Sequence, residues 1–227
     1  MTFQLANVVP WGRSFEEYIS MFALSEQDLH KSILGCADGP ASFNCELTER
    51  GGSIISVDPL YEYGGQQIKQ RIDETFNEIM KQTRENMNEF IWTNISSVEE
   101  LGRVRMEAMA KFLFDYDRGR SEGRYRPQSL PSLSFSDDQF QMALCSHFLF
   151  LYSDHLDLEF HIRSIREMCR VSCEARIFPL TKLGASISPH LQAVVDHFED
   201  EGYEVDIARV PYEFQRGGNQ MLRIRKT

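Results

Sequence analysis

Apolar residues along this chain change period several times, and each change marks an element. A leading arm, 1–12, carries Trp11 near its end. Ser14-x-x-Glu17 is then a capping-box pattern, with Phe15, Tyr18, Ile19 and Phe22 at helical spacing behind it. That aromatic face suits packing against the body or a lid over a ligand. A short helix near 25–30 leads into an apolar run ending at Ile33-Leu34. Gly35-Cys-Ala-Asp-Gly-Pro-Ala41 follows as a turn of small residues, and a helix and a Gly-Gly break come next. Ile54, Ile55 and Val57 form a second strand, where Pro59 biases Asp58 to an extended backbone and lets its carboxylate project from the strand tip.

Two long amphipathic patterns occupy the next stretch. Gln66 to Trp92 places Ile68, Ile72, Phe76, Ile79 and Met80 on one stripe. Ser97-Val-Glu-Glu100 caps a second pattern, with Leu101, Val104, Ala108 and Phe112 in line. The polar stretch 115–128 reads as a loop, and 64–128 as a helical insertion after the second strand, either a cap over the site or an edge layer. From Leu130 the β/α alternation resumes. Met142–Cys145 forms a strand, a helix runs from Asp154 to about Arg170, and Glu174–Phe178 forms another strand. Pro189 opens a helix that ends at Gly202. Tyr203 to Phe214, a turn at 215–219 and Met221–Arg225 close the chain as a hairpin. The expected fold is one α/β domain over 1–227, a mostly parallel seven-stranded sheet with helices on both faces and an antiparallel C-terminal strand.

Composition narrows the function. The net charge is −10, which argues against a dedicated nucleic-acid binder, since that would need a basic face. Five cysteines without scaffold spacing read as reduced thiols and a cytoplasmic setting. The apolar run 142–152 is too short to span a bilayer, so no membrane partner is expected. His147, His155 and His161 share no ligand spacing with acidic partners, which argues against a metal, and oligomeric state is not legible. The turn glycines do not fit the dinucleotide Gly-x-Gly-x-x-Gly spacing either, because Pro40 falls where the third should stand.

Residues 33–43, ILGCADGPASF, resemble the first motif of the Rossmann-like, class I S-adenosylmethionine-dependent methyltransferases, hydrophobic-Leu-Asp-x-Gly-x-Gly-x-Gly. Gly35 stands where the family has its acid, and Ala37, Gly39 and Ala41 stand at the three glycines. A second segment, Leu130 to Leu149, is similar to the family's "LPF-x-D-x-x-F-D-hydrophobic run-S-x-hydrophobic" stretch through Leu133, Phe135, Asp137 or Asp138, Phe140, 142–145 and Ser146-His147, with Gln141 replacing an Asp. The resemblance covers about 30–225 apart from the insertion. It implies S-adenosylmethionine as cofactor and a small-molecule methyl acceptor. It places the cofactor at Gly35, Ala37, Asp38, Gly39, Asp58, Pro59, Leu60, Cys145 and Ser146, with the ribose hydroxyls received by Asp58. If the acceptor must lose a proton, the candidate bases are His147, Tyr152 and His155. The missing motif acid leaves a second reading open, a methyltransferase-like binding protein without catalysis. A nicotinamide-dependent oxidoreductase is a third. Arg118, Arg120, Arg124 and Arg126 give the only hint of acceptor charge, an anion drawn to the insertion's loop.

Overall fold

A computed structural model describes residues 9–227; the first eight residues of the leading arm lie outside them. The described residues form one seven-stranded sheet. Its strands are β1 (Ser32–Cys36), β2 (Ser53–Val57), β3 (Tyr125–Arg126), β4 (Met142–Ser146), β5 (Glu174–Phe178), β6 (Glu204–Arg209) and β7 (Gln220–Arg225), in the order β3-β2-β1-β4-β5-β7-β6. Strands β1 to β5 are parallel, with Gly35 opposite Leu144 and Cys36 opposite Cys145, and β7 runs antiparallel between β5 and β6. This is the expected architecture.

Alternation along each strand sends neighbouring side chains to opposite faces, and the two cores follow from it. Ile33, Ile54, Met142 and Leu144 bury one face against α1 (Phe15–Met21) and α2 (Phe43–Glu49). Leu34, Val57, Ala143 and Cys145 bury the other against α5 (Leu158–Val171) and α6 (Leu191–Asp200). Helix α1 keeps its capping box: Ser14 Oγ accepts from Glu17 N at 3.3 Å, and Glu17 accepts from Ser14 N at 3.0 Å. Helix α5 starts later than expected. Asp157, not Asp154, is its cap, after a single 3-10 turn at Phe150–Tyr152.

The insertion differs most from its expected form. Helix α3 (Gly65–Glu85) stops short of Trp92, and α4 (Val98–Ser121) continues into the first half of the expected loop. Strand β3 then pairs Ser56 with Tyr125 and Val57 with Arg126. The polar stretch hid these elements because its charges neutralise each other inside. Arg124 donates to both oxygens of Asp115 at 2.7 and 2.8 Å, while Tyr116 and Tyr125 join Tyr61, Ile72 and Phe112 in a third core. Between the helices, Ile91 N donates to Phe214 O at 2.7 Å and Phe90 stacks on Phe214, with ring centres 5.0 Å apart. The insertion is thereby tied to the β6–β7 turn.

Candidate active site

Strand order reverses between β1 and β4, and a crevice opens at the carboxyl ends of the strands there, where open α/β sheets bind ligands. It has two compartments, both lined by Ala37, Gly39, Asp58 and Phe148. The wider, about 600 Å³, runs past Pro59, Leu60, Tyr63 and Ile68 to Gln128, Ser129 and Leu130. The narrower, about 130 Å³, lies against Arg13, Tyr18, Asp38, Ser146, His147 and Tyr152, with Ile79, Leu101, Phe90 and Phe214 closing it from the insertion and the hairpin turn.

The β1–α2 turn forms the floor. Ala37 and Gly39 hold left-handed backbones, with φ of 55° and 53°, as a tight strand-to-helix turn demands. A Cβ on Gly39 would project into open space, its nearest neighbour Asp58 Oδ2 at 4.0 Å, so the bare backbone there leaves room for a ligand. Asp58 bridges turn and strand: Oδ2 accepts from Gly39 N at 2.9 Å and Oδ1 from Leu60 N at 2.8 Å. Burial raises its carboxyl above the usual range, against those two bonds.

Asp38 accounts for the glycine that precedes it. A Cβ built on Gly35 would lie 1.7 Å from Asp38 Oδ2. The carboxyl of residue 38 thus fills the space that a side chain at the end of β1 would take. Tyr18 donates to Oδ1 at 2.8 Å and Ser56 to Oδ2 at 2.6 Å. Burial lifts this acid to about 6 despite both bonds, and the nearby Asp58 carboxylate adds to the rise.

His147, in the left-handed region at φ 51°, receives or gives a bond with Ser146 Oγ at 2.9 Å through Nδ1. Burial, then the positive Arg13 and Arg105, push it well below its ordinary value, so the imidazole is neutral at pH 7. Tyr152 lines the same compartment, and burial raises its phenol. The other candidates lie elsewhere. His155 is exposed beyond the 3-10 turn and lines neither compartment. Cys145 is sealed inside the sheet opposite Cys36, its thiol pushed up to about 12 by burial, and Gly35 lies beneath Asp38.

The loop arginines do not reach the crevice either. Arg118 and Arg124 pair with Asp115, each at 2.7 Å, Arg120 donates to Tyr63 O at 3.3 Å, and Arg126 to Gly123 O at 3.0 Å. Beside Arg71 in the wider compartment, positive charge comes from Arg13 in the narrower one and from Arg105 of α4, buried behind the wall in an ion pair with Glu17. Neither stood out in the sequence, although Arg105 falls on the stripe of Leu101, Ala108 and Phe112, where a charge is out of place. Tyr18 read only as part of an aromatic face.

This sheet order, with its reversed last strand, is the Rossmann-like fold of the class I S-adenosylmethionine-dependent methyltransferases. The fold is shared with magnesium protoporphyrin IX methyltransferase of Synechocystis PCC 6803, solved with bound S-adenosylhomocysteine (TM-score 0.51, 11% identity, 92% of this chain and 80% of that one). PH0226 protein of Pyrococcus horikoshii OT3 is similar to the same degree (TM-score 0.50, 11% identity, 94% and 91%). In sequence, the chain is 34% identical over 223 residues to the uncharacterized protein MJ0045 of Methanocaldococcus jannaschii, covering 98% of each, and it belongs to that protein's family. No family model matches the sequence.

Proposed function

We propose that this chain is an S-adenosylmethionine-dependent methyltransferase acting on a small molecule. The observation that carries the reading is the pair of acids around the β1–α2 turn, Asp38 over Gly35 and Asp58 at the end of β2. The turn offers an open backbone face at Gly39, and the acids offer acceptors at two places along it, which fits a ligand with an ammonium group and a ribose. Asp38 would receive the ammonium and Asp58 the ribose hydroxyls, with Pro59, Leu60 and Gln128–Leu130 beside the base. The cofactor, when bound, supplies a methyl group already activated on a sulfonium.

The chain's residues then have mainly to align the acceptor and exclude water, and positioning of that kind is worth roughly 7–11 kcal/mol. Ile79, Leu101, Phe90, Phe214 and Leu151 form an apolar wall for the acceptor, and the segment 64–128 serves as its cap. His147, neutral beside Ser146, is the group placed to take a proton from an acceptor. The depressed basicity makes it a weak base, suited to an acceptor that is already acidic. The reading as a catalytically inert binding protein rests on the missing motif acid, and the Asp38 carboxyl over Gly35 speaks against it.

Titration calorimetry with S-adenosylhomocysteine, S-adenosylmethionine and NAD tests the assignment. We expect the first two to bind and NAD not to. Binding of NAD alone would make the protein a nicotinamide enzyme, and binding of none of the three would end the cofactor reading.

A further inference from the structure

Beside the narrower compartment Arg105 is paired with Glu17, and Arg13, which lines that compartment, has no ion pair among the described residues. Arg105 is fully buried, with its Nη1 donating to Glu17 and Tyr212 beside it; its Nε and Nη2 have no partner among the described residues. Glu17 already accepts four bonds. Its Oε1 accepts from Tyr212 at 2.8 Å, and its Oε2 accepts from Arg105 and from Ser14 N and Oγ. Arg13 lines the compartment itself. Its Nη1 donates to Trp11 O at 2.5 Å, and its buried Nε has no partner among the described residues.

An arginine at a wall of low dielectric, with no ion pair among the described residues and a second arginine near it, is costly unless something anionic arrives. The surrounding groups report the same excess. Burial would raise the Glu17 carboxyl, yet Arg105 and then Arg13 hold it at about 2. Burial and Arg105 pull Arg13 down to about 10, still charged at neutral pH. Arg13 is also anchored, since its carbonyl accepts from Ser42 N at 3.0 Å and fixes the arm on the start of α2.

We propose that Arg13, backed by Arg105, is a carboxylate-binding site in this compartment. The group would be recognised by a planar fork of donors, the chemistry for which arginine surpasses lysine. Two ligands of the proposed reaction could bring it: the amino-acid end of the cofactor, or an acidic methyl acceptor. The inference rests on the methyltransferase reading for the identity of the ligand, but the site itself does not.

The test compares wild type, Arg13→Gln and Arg13→Lys by calorimetry, with thermal melting to confirm folding. If the cofactor supplies the carboxylate, Arg13→Gln weakens S-adenosylhomocysteine at least tenfold, leaves 5′-methylthioadenosine (which lacks the amino-acid end) unchanged, and Arg13→Lys recovers part of the loss. If the acceptor supplies it, S-adenosylhomocysteine binds all three alike. Benzoate, but not the neutral isostere benzamide, then binds the S-adenosylhomocysteine-loaded wild type and is lost in Arg13→Gln. Equal S-adenosylhomocysteine affinity together with no preference for benzoate overturns the site while leaving the methyltransferase reading intact. Should neither adenosyl compound bind, that reading fails, and benzoate against benzamide on the free protein still decides the site. That last comparison also stands if Arg13→Gln does not fold.

Discussion

Two buried polar clusters in this protein are built from the same residue types and are completed differently. Around Asp115, the partners are supplied by the chain: Arg124 takes both oxygens, Arg118 and Tyr125 add bonds, and Asn44 and Glu122 accept from Nη1 and Nε of Arg124. Around the crevice, Asp38 and Asp58 line the compartments with acceptor capacity left over, and Arg13 lines the narrower one with no ion pair among the described residues. A closed set of bonds holds β3 and α4 in place. An incomplete set facing a cavity is what a ligand completes. Net charge or composition would not separate the two, and neither would burial.

The contrast breaks most visibly at Asp115. Asp115→Ala strands the buried Arg124, and losing one partner of a buried pair costs about 3–5 kcal/mol. Urea denaturation should show that loss, with S-adenosylhomocysteine affinity of the folded fraction unchanged. A milder stability loss with abolished binding would mean that the Asp115 cluster also serves the site.

Asp58→Ala should act the opposite way, chiefly on binding. Losing hydrogen bonds to a charged group would cost about 1.5–3 kcal/mol of S-adenosylhomocysteine binding. The sequence alone suggests no effect on folding, but Asp58 also caps the turn at Leu60 and holds Gly39 N. A further stability loss of about 0.5–2 kcal/mol is therefore expected, as for other lost caps. Unchanged affinity would remove Asp58 from the site.

Asp38 sharpens the comparison through pH. Its folded pKa, about 6, lies above the ordinary 3.8, so the folded state holds the proton more tightly than the unfolded one. The contribution is fully present below about pH 4 and is lost as pH rises towards 6, at up to about 1.4 kcal/mol per pH unit. Asp38→Asn should flatten that part of the stability profile relative to wild type. It should also weaken S-adenosylhomocysteine, whose binding to wild type strengthens as the acid ionises. Parallel profiles for the two proteins would place the proton elsewhere.

The smallest effect is expected at Ala37. A non-glycine residue in the left-handed region costs roughly 1–2 kcal/mol, and glycine's extra unfolded entropy offsets about half of that. Ala37→Gly should raise stability by under about 1 kcal/mol, with affinity intact.

Legibility in the sequence followed the same division. Strands β1, β2, β4, β5 and the closing hairpin could be read because their apolar runs are bounded by Gly, Pro or Asp. The turn 35–41 and the projecting Asp58 were visible for the same reason. Strand β3 and the end of α4 were not, since an Asp115–Arg124 pair looks in sequence like a solvated loop. Site residues outside the strand tips were hidden for a related reason. Tyr18, Arg13 and Arg105 come from the arm and two helices, and only the folded chain brings Tyr18 and Arg13 to the compartment of Asp38, with Arg105 behind them on Glu17. His147 and Tyr152 do reach the compartment, whereas His155, three residues along from Tyr152, is turned out by the 3-10 geometry.

The exchange of Gly35 and Asp38 constrains how this chain can change. An acid restored at position 35 alone would drive its Cβ into the Asp38 carboxyl. An acid removed from position 38 alone would leave Tyr18 and Ser56 without the carboxyl they donate to, with no acid over the end of β1. Passage between the two arrangements therefore requires both substitutions together, an epistatic step with an unfit state on either side. A search pattern that fixes the acid at the strand end passes over such a chain, although the carboxyl occupies nearly the same volume of space.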